Sequence, residues 1–272
     1  MNEVILVALC KPETAHCLLT AARRIADRLA HARIEALAVR MPAVALVLPT
    51  EQLLTNALRK RWEVRETERV EQIRHAYQQW AAPIESDRCA CNWVDVEGIP
   101  EQEVAVRGKR ADLLIIDRPA KHPDEACRET VRAAIFECHR PVLLVPPNWT
   151  VPLGRHPAIA WRDDGRAIKA VIPAMRYFAG AEAISVLVGY RGDAKPGGIP
   201  VALAEHGVEA TVYALPIEAG PFGKQLLAKA AELKADLLVA GAYVHSPLRE
   251  MLLGGVTRYV LAHAEIPVFM RH

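Results

Sequence analysis

The chain has 272 residues, of which 51% are hydrophobic and 24% charged, so it can form one large domain or two ordinary ones with buried cores. Its formal net charge of +2 argues against a nucleic-acid partner, which would require a marked basic surface. No apolar run approaches the length of a membrane span, and Met1–Glu3 lacks the basic start of a secretion signal, so we expect a cytoplasmic protein without membrane contact.

Apolar periodicity predicts alternating strands and helices in the first half of the chain. Short apolar runs indicate strands, and apolar residues at every third or fourth position indicate helices. We expect strands at Val4–Cys10, Ile34–Val39, Cys91–Val96, Ala111–Ile116 and Pro141–Val145, and helices at Thr14–Ala30, Leu53–Trp80, Glu101–Gly108 and Glu125–Cys138. The charges on the long second helix alternate in sign, which predicts a solvated face.

The same pattern begins again after the turn-rich segment 146–154, where we expect a domain boundary. The alternation predicts the α/β class, with a parallel, doubly wound sheet in each half. We expect strands at Ala158–Trp161, Ala183–Val188, Glu209–Ala214, Ala235–Ala240 and Pro267–Met270, and helices at Asp163–Phe178, Pro200–His206, Pro221–Lys234 and Gly254–Ala264.

Two short sequence matches relate the halves to each other. Arg110-Ala-Asp-Leu-Leu corresponds to Lys234-Ala-Asp-Leu-Leu, and Arg140-Pro-Val corresponds to Ile266-Pro-Val. Self-similarity at a fixed separation is the signature of a duplicated unit. We therefore expect two domains of one fold, at residues 1–147 and 155–272.

The loop after the strand Ala235–Ala240 combines glycines with the start of a helix. Gly241 ends the strand, and Gly254-Gly255 opens the helix. Amides at a helix start have no intrahelical partner, and the helix dipole adds positive charge, so this place suits a phosphate. The loop also follows the carboxyl end of a strand, where open α/β sheets bind ligands. A tight turn that requires glycine for close packing is the alternative explanation.

These glycines resemble the nucleotide-binding signature of the universal stress protein family: Gly, two residues, Gly, nine residues, Gly, then Ser or Thr. Gly241 and Gly254 fill the first and third places, whereas Val244 and Gly255 depart from the second and fourth. Together with the repeat, the resemblance implies a tandem member of the family. It implies two tandem doubly wound five-stranded parallel sheets of the flavodoxin or Rossmann type, similar to the adenine nucleotide alpha hydrolases.

The resemblance further implies that the second domain binds ATP, or AMP or ADP, with Mg²⁺ as a candidate companion. The phosphates would lie at the helix start and the loop, and the base and ribose over the ends of the first two strands. The implied contacts are Trp161, Arg162, Asp163, Val188, Ala240, Gly241, Ala242, His245, Ser246, Gly254, Gly255, Val256 and Thr257.

Several of these residues have an equally simple structural explanation. Members of the family usually carry an Asp just after the first strand, but Arg162 stands there and Asp163 follows. Asp163 either takes that role after a one-residue shift or only caps the next helix. Trp161 either stacks on a base or belongs to the core. His245 is either a ligand contact or a surface histidine.

No catalytic constellation is recognisable in the sequence, such as a Gly-x-Ser-x-Gly elbow, a His-Glu-x-x-His motif or a Walker lysine. We therefore expect a stress-response sensor or switch with at most slow ATP hydrolysis. In the first half, Glu129-Thr130 stands where Gly254-Gly255 stands in the repeat. A carboxylate at a helix start would repel phosphate, so we expect no nucleotide in the first domain.

Two further hypotheses remain open. The first is a scaffold without nucleotide, in which the segments Pro141–Val145 and Pro267–Met270 pair; a homodimer or an intramolecular pairing of the domains would follow. The second is thiol or metal chemistry by the cysteines, all six of which lie in the first half. Cys89 and Cys91 are weak metal candidates, because alternate residues of a strand share a face. Their spacing matches no standard zinc motif, and inert buried thiols are the simpler explanation.

Overall fold

The computed structural model describes residues 3–46, 55–82, 89–119, 125–147, 149–150, 152–162, 165–177, 179–193, 196–217, 220–242 and 254–272. Two compact units are present. The first comprises Met1–Asp117 and Pro123–Arg140, and the second comprises Arg118–His122 and Pro141–His272.

The first unit has four parallel strands in the spatial order β3-β2-β1-β4, with helices between them in the sequence. Its elements are β1 (Glu3–Ala8), α1 (Pro12–Ala26), β2 (Ala32–Arg40), a 3₁₀ turn (Ala43–Leu46), α2 (Asn56–Ala81), β3 (Cys89–Glu97), α3 (Pro100–Gly108), β4 (Leu113–Asp117) and α4 (Glu125–Phe136).

The two central strands of this unit are almost wholly apolar, because helices cover both faces of a parallel sheet. Ile5 on β1 and Leu113 and Ile115 on β4 are fully buried. Helix α2 is predominantly charged, yet it buries Val70, Ile73 and other apolar residues at helical spacing. The core of the unit therefore lies where the sequence periodicity predicts it.

The second unit has six strands in the order β5-β10-β9-β6-β7-β8. Its elements are β5 (Val142–Val145), β6 (Pro157–Trp161), α5 (Arg166–Tyr177), β7 (Ser185–Tyr190), α6 (Val201–Glu205), β8 (Thr211–Pro216), α7 (Phe222–Glu232), β9 (Leu237–Gly241), α8 (Gly255–His263) and β10 (Val268–Arg271). Strands β6 to β10 are mutually parallel where they pair. All the strands and helices expected from the sequence are present, and the α/β class with a mostly parallel sheet is confirmed.

Strand β5 ends the first sequence repeat, but it belongs to the second unit and pairs antiparallel with β10. In this register Leu144 lies opposite Val268 and Val142 opposite Met270. The structure therefore pairs the two segments that the scaffold hypothesis singled out. The compact units consequently hold four and six strands instead of five each. The domain limits 1–147 and 155–272 remain a prediction.

Strand order distinguishes the two doubly wound types that the sequence left open. In the second repeat the order β10-β9-β6-β7-β8 corresponds to 5-4-1-2-3, counted from the first strand of that repeat. This is the Rossmann arrangement and differs from the flavodoxin order 2-1-3-4-5. No described helix is long and apolar enough to cross a membrane.

The repeated Ala-Asp-Leu-Leu sequence has a structural reason. In the first repeat the Asp112 carboxylate accepts a hydrogen bond of 2.9 Å from the Val4 amide at the start of β1. In the second repeat the Asp236 carboxylate accepts hydrogen bonds of 3.1, 2.8 and 3.0 Å from the amides of residues 154–156, just before β6. In each repeat, an aspartate before the fourth strand thus holds the start of the first strand.

Replacing Asp236 with alanine should lower the free energy of unfolding by about 3 kcal/mol, because three backbone amides lose a charged acceptor. Urea unfolding followed by circular dichroism would measure the change. Asp193 is exposed, so its replacement with alanine is the matched control and should change stability by less than about 0.5 kcal/mol. Equal stability of the two variants would contradict the assigned role.

Candidate functional site

The second unit contains a cavity with a volume of about 1140 Å³. It is lined by the ends of β6 and β7, by the segment that leads into α7, and by α8. Ligand pockets usually have volumes of about 300–1,000 Å³, so a molecule of nucleotide size fits in this one.

Strand order explains why the cavity lies at this edge of the sheet. Strand β6 pairs with β7 on one side and with β9 on the other. The order of the strands therefore reverses its direction at β6. Ligands of doubly wound sheets bind beside such a reversal, at the carboxyl ends of the strands. Trp161 ends β6, and Val188 lies opposite it on β7; both residues border the cavity.

The first turn of α8 forms another wall of the cavity, through residues 254–257. Gly254, the residue before this helix, has no side chain that could cap it, and it adopts an extended conformation with φ −58° and ψ 156°. The amides of Gly255, Val256 and Thr257 are the first-turn donors that a helix cannot satisfy internally. They stand beside the cavity with the positive end of the helix dipole, an arrangement suited to an anion.

Glycine is not required for packing at Gly255. Its φ is not positive, and a Cβ atom added there would have no neighbour within 4 Å. The tight-turn explanation is therefore unsupported at this residue. The absence of a side chain instead leaves space beside the helix start.

The cavity lining is both cationic and apolar. Arg162, Arg191, Arg258 and His263 border it, and no carboxylate is found among the described residues of its wall. Phe222 supplies part of an apolar surface near Val188. Gly189 makes this surface possible, because a Cβ there would come within 2.8 Å of the Phe222 ring. The cavity thus offers an apolar wall for a planar group and positive charge for an anion.

Comparison with known proteins identifies the family of this region. Residues 182–272 match the model of the universal stress protein family. Residues 182–272 form a universal stress protein domain. The family recognised from the sequence is thereby confirmed for these residues, which are 91 of the 272 in the chain, and the match supports a role in the stress response. A search of curated protein sequences found no match.

Solved structures resemble the whole chain in fold. A universal stress protein from Archaeoglobus fulgidus DSM 4304 has a TM-score of 0.65 and 16% identity, and the match covers 98% of this chain and 97% of that one. A candidate universal stress protein from Pseudomonas aeruginosa UCBPP-PA14 has a TM-score of 0.61 and 15% identity, with coverages of 100% and 93%. A protein of unknown function from Pseudomonas aeruginosa PAO1 has a TM-score of 0.59 and 14% identity, with coverages of 99% and 92%. At these identities the likeness concerns the fold alone.

The structure gathers seven of the residues implied by the resemblance around the cavity. They are Trp161, Arg162, Val188, Gly254, Gly255, Val256 and Thr257. Trp161 is only 6% exposed, so most of its side chain belongs to the core although it borders the cavity. Thr257 is 3% exposed and also borders the cavity.

Other implied contacts lie elsewhere or cannot be placed. Ala240 does not line the cavity, because it pairs with Ala160 and Met270 inside the sheet. Gly241 and Ala242 are likewise buried away from the lining. Asp163, Val244, His245 and Ser246 lie outside the described residues.

Sequence reasoning missed twelve of the described lining residues, among them Arg191, Phe222 and Arg258. Arg191 directly follows β7, the second strand of the second repeat, and Arg258 lies in the first turns of α8. Both positions could have been found from the strand and helix ends. Phe222 lies at the start of α7, a helix whose contribution to the cavity depends on tertiary packing.

The corresponding edge of the first unit is occupied by a side chain of α2. The Arg69 guanidinium donates hydrogen bonds of 2.9 Å to the Cys10 carbonyl and 2.6 Å to the Val39 carbonyl, just after β1 and near the end of β2. Glu66, which is 6% exposed, accepts from Arg69 and from the Met41 amide. The expectation of a uniformly solvated charged face on α2 is therefore wrong for this pair. The exposed pair Arg59–Glu63 fits it.

The fourth strand of the first repeat ends in a buried acid. Asp117 stands where the universal stress protein domain has Gly241, and one of its carboxylate oxygens has no hydrogen-bond partner in the structure. Burial raises the pKa of Asp117 from 3.8 to about 6, although Thr14 and Lys11 favour the charged form. Burial and the charges of Asp117 and Cys127 raise the pKa of the Cys10 thiol to about 12.

Glu129, which the repeat alignment placed at a helix start, does not lie at one in the structure. Helix α4 begins at Glu125, so Glu129 lies in its second turn and pairs with Arg132 at 2.7 Å. The Thr130 hydroxyl donates to the Ala126 carbonyl at 2.7 Å. Helix α4 has 12 residues whereas α8 has nine, so α4 begins about one turn earlier than α8 when the two repeats are aligned. The absence of a nucleotide in the first domain remains a prediction.

Cys89 and Cys91 lie on the same face of β3, as the strand period predicts. A hydrogen bond from Cys91 lowers the pKa of Cys89 to about 7 and raises that of Cys91. Within the described part of the chain, no group of three or more metal-ligand residues is present. None of the six cysteines, all of which lie in the described residues, forms a disulfide bond.

Replacing Asp117 with asparagine should alter how stability depends on pH. A raised folded-state pKa adds stability at low pH, and this contribution is lost as the pH rises toward 6. Relative to the wild type, the variant should therefore gain about 2 kcal/mol between pH 4.5 and pH 7.5. Urea unfolding at both pH values would measure the gain. Asp193→Asn, at an exposed residue, is the control. If the free energy of unfolding of D117N differs from that of the wild type by the same amount at both pH values, the raised pKa of Asp117 is refuted.

Proposed function

We propose that the universal stress protein domain binds an adenine nucleotide in its cavity and acts as a stress-response sensor or switch. The observation that carries the proposal is the uncapped start of α8 beside the cavity. Its amides and dipole would hold phosphate oxygens, and the Thr257 hydroxyl would add a donor. Arg258 would add positive charge from the same helix.

The apolar wall would receive the base. Val188 and Phe222 border the cavity near the strand ends, and Trp161 also borders it. An adenine ring placed against these side chains would bury apolar surface away from solvent. The polar edges of the ring would remain free for hydrogen bonds with the backbone. ATP, ADP and AMP share this base, so the apolar wall does not distinguish them. Mg²⁺ would accompany the phosphates without a ligand from the described lining.

Calorimetric titration of the purified protein with ATP and Mg²⁺ tests the proposal. We expect a dissociation constant below about 100 µM, in a single binding event per chain. Gly255→Asp should weaken binding by about tenfold or more, because its carboxylate would face the phosphates at the helix start. Gly255→Ala is the matched control, since its Cβ meets open space, and should change affinity by less than about threefold. No heat at millimolar ATP would reject nucleotide binding.

A scaffold without nucleotide is the second candidate function, and the antiparallel pairing of β5 with β10 favours it. Both strands are buried and apolar, so this pairing joins the end of the first repeat to the second without any ligand. The protein would then present its surface to partners, as a monomer or as a dimer.

Restoring the family pattern distinguishes the two functions. The double variant V244G/R162D places Gly and Asp where the resemblance expects them. If the wild type binds no ATP and the double variant does, the native protein is a scaffold that has lost the site. If the wild type already binds ATP, the scaffold hypothesis is excluded.

A further inference from the structure

The first unit carries a pair of thiols at the amino end of an edge strand. Strand β3 pairs with β2 on one side, and it is the last strand on its side of the described sheet. It begins at Cys89, and Cys91 lies two residues further along on the same face. A hydrogen bond joins the two thiols, so their sulfur atoms lie next to each other. Two soft ligand atoms are therefore within reach of one bound ion.

A disulfide between these cysteines does not fit a regular strand. Residues i and i+2 of a strand have Cα atoms about 6.6 Å apart, and their Cβ atoms point the same way. A disulfide requires Cβ atoms about 3.8 Å apart, so it would bend the strand. Strand β3 is regular here, because Cys89 and Cys91 lie opposite Ala32 and Ile34 in an unbroken register. An ion fits better, since two metal–sulfur bonds of about 2.3 Å span up to about 4.6 Å.

A positive charge lies beside the two thiols. Arg23, near the end of α1, is close enough for its charge to act on both of them. Its Nε atom forms an ion pair with Asp27 at 2.7 Å, whereas its Nη1 atom is buried and has no hydrogen-bond partner. A buried donor without a partner is costly, and a negatively charged acceptor would satisfy it. Two thiolates on a monovalent cation leave one negative charge, which Arg23 would offset.

The donor set indicates the kind of ion. Thiolates select soft ions, such as Cu(I), Zn²⁺ and the iron of iron–sulfur clusters. Structural zinc sites and iron–sulfur clusters require four protein ligands. Among the described residues, however, no group of three or more metal ligands includes Cys89 and Cys91. Cu(I) is satisfied by two thiolates in a linear arrangement. Because Cys89 is only 5% exposed, an ion held there would also be shielded from water.

We propose that Cys89 and Cys91 form a binding site for Cu(I). Binding forms two copper–sulfur bonds and releases the two thiol protons to solvent. Copper enters as Cu(I), so no electron is transferred. Cys91 is half-buried and meets the ion first, and Cys89 then completes the pair. The proposal does not depend on nucleotide binding, because the cavity belongs to the second unit.

Anaerobic competition with bicinchoninate, a coloured chelator of Cu(I), tests the site on the reduced full-length chain. We expect the wild type to take one equivalent of Cu(I) per chain from the chelator at neutral pH. X-ray absorption at the copper edge should show sulfur neighbours only. An excess of Zn²⁺ of about a hundredfold should not displace the copper, because two thiolates fill only half of a tetrahedral zinc site.

Serine variants locate the ion on the two cysteines. Cys89→Ser and Cys91→Ser should each weaken Cu(I) binding by about a hundredfold or more, because a hydroxyl is a poor ligand for a soft ion. Cys138→Ser is the matched control and should keep the wild-type affinity. It removes a thiol that donates to two backbone carbonyls, which a hydroxyl can also do. Circular dichroism checks folding, and the half-buried position of Cys91 makes its variant the safer one.

The opposite results would overturn the proposal. If the wild type leaves the copper with the chelator, the two thiols are inert. If Cys91→Ser keeps the wild-type affinity, or if Cys138→Ser loses as much as Cys91→Ser, the copper is bound elsewhere. Nitrogen neighbours in the copper spectrum, or displacement by Zn²⁺, would contradict a site made of two thiolates.

Discussion

An aspartate before the fourth strand of each repeat holds the start of the first strand. In the second repeat Asp236 binds three consecutive amides before β6, and the register that follows places Pro157 opposite Leu237. Since β6 and β9 each have five residues, they end at nearly the same level. The loops that leave Trp161 and Gly241 therefore start from one edge of the sheet. The cavity lies at that edge, so its position depends on a contact at the opposite end of the strands.

The two repeats share this framework and differ in what occupies its carboxyl edge. In the first repeat, α2 has 26 residues and delivers Arg69 to the carbonyls after the first two strands. In the second repeat, the corresponding helix α6 has only five residues, and a cavity lies at the equivalent strand ends. The fourth strand likewise ends in the acid Asp117 in one repeat and in Gly241 in the other. One repeat therefore satisfies its strand ends internally, while the other leaves room for a ligand.

The sequence was sufficient for those features that depend on local periodicity. Apolar spacing located the described β-strands and α-helices, and the repeated Ala-Asp-Leu-Leu sequence indicated the duplication. Features that depend on distant residues were less accessible. The pairing of β5 with β10 was raised only in the scaffold hypothesis, because the segments lie more than 120 residues apart and nothing local indicates their antiparallel direction. The sequence predicted the start of α4 correctly at Glu125, but the repeat alignment placed Glu129 at a helix start, because α8 has three residues fewer than α4.

The candidate site shows the same division between local and distant information. The start of α8 was predictable because paired glycines after a strand are a local signal, and four consecutive residues from Gly254 do line the cavity. Ala240 lies within the sheet between β6 and β10 and does not line the cavity, so its contact with a ligand stays a prediction. Arg191 was missed because the family resemblance concerns the loop after the fourth strand and not the end of the second.

The wall of the cavity is more positively charged than the composition of the whole chain suggests. The net charge of +2 is nearly neutral for 272 residues, yet the described cavity wall holds three arginines and no carboxylate. Low-dielectric walls concentrate the field of such charges and raise the local concentration of anions. Where carboxylates line a site, a divalent cation must bridge them to phosphate. Here the arginines and the amides of α8 can neutralise phosphate directly, so the protein itself supplies the positive charge that recognition of a polyanionic nucleotide requires.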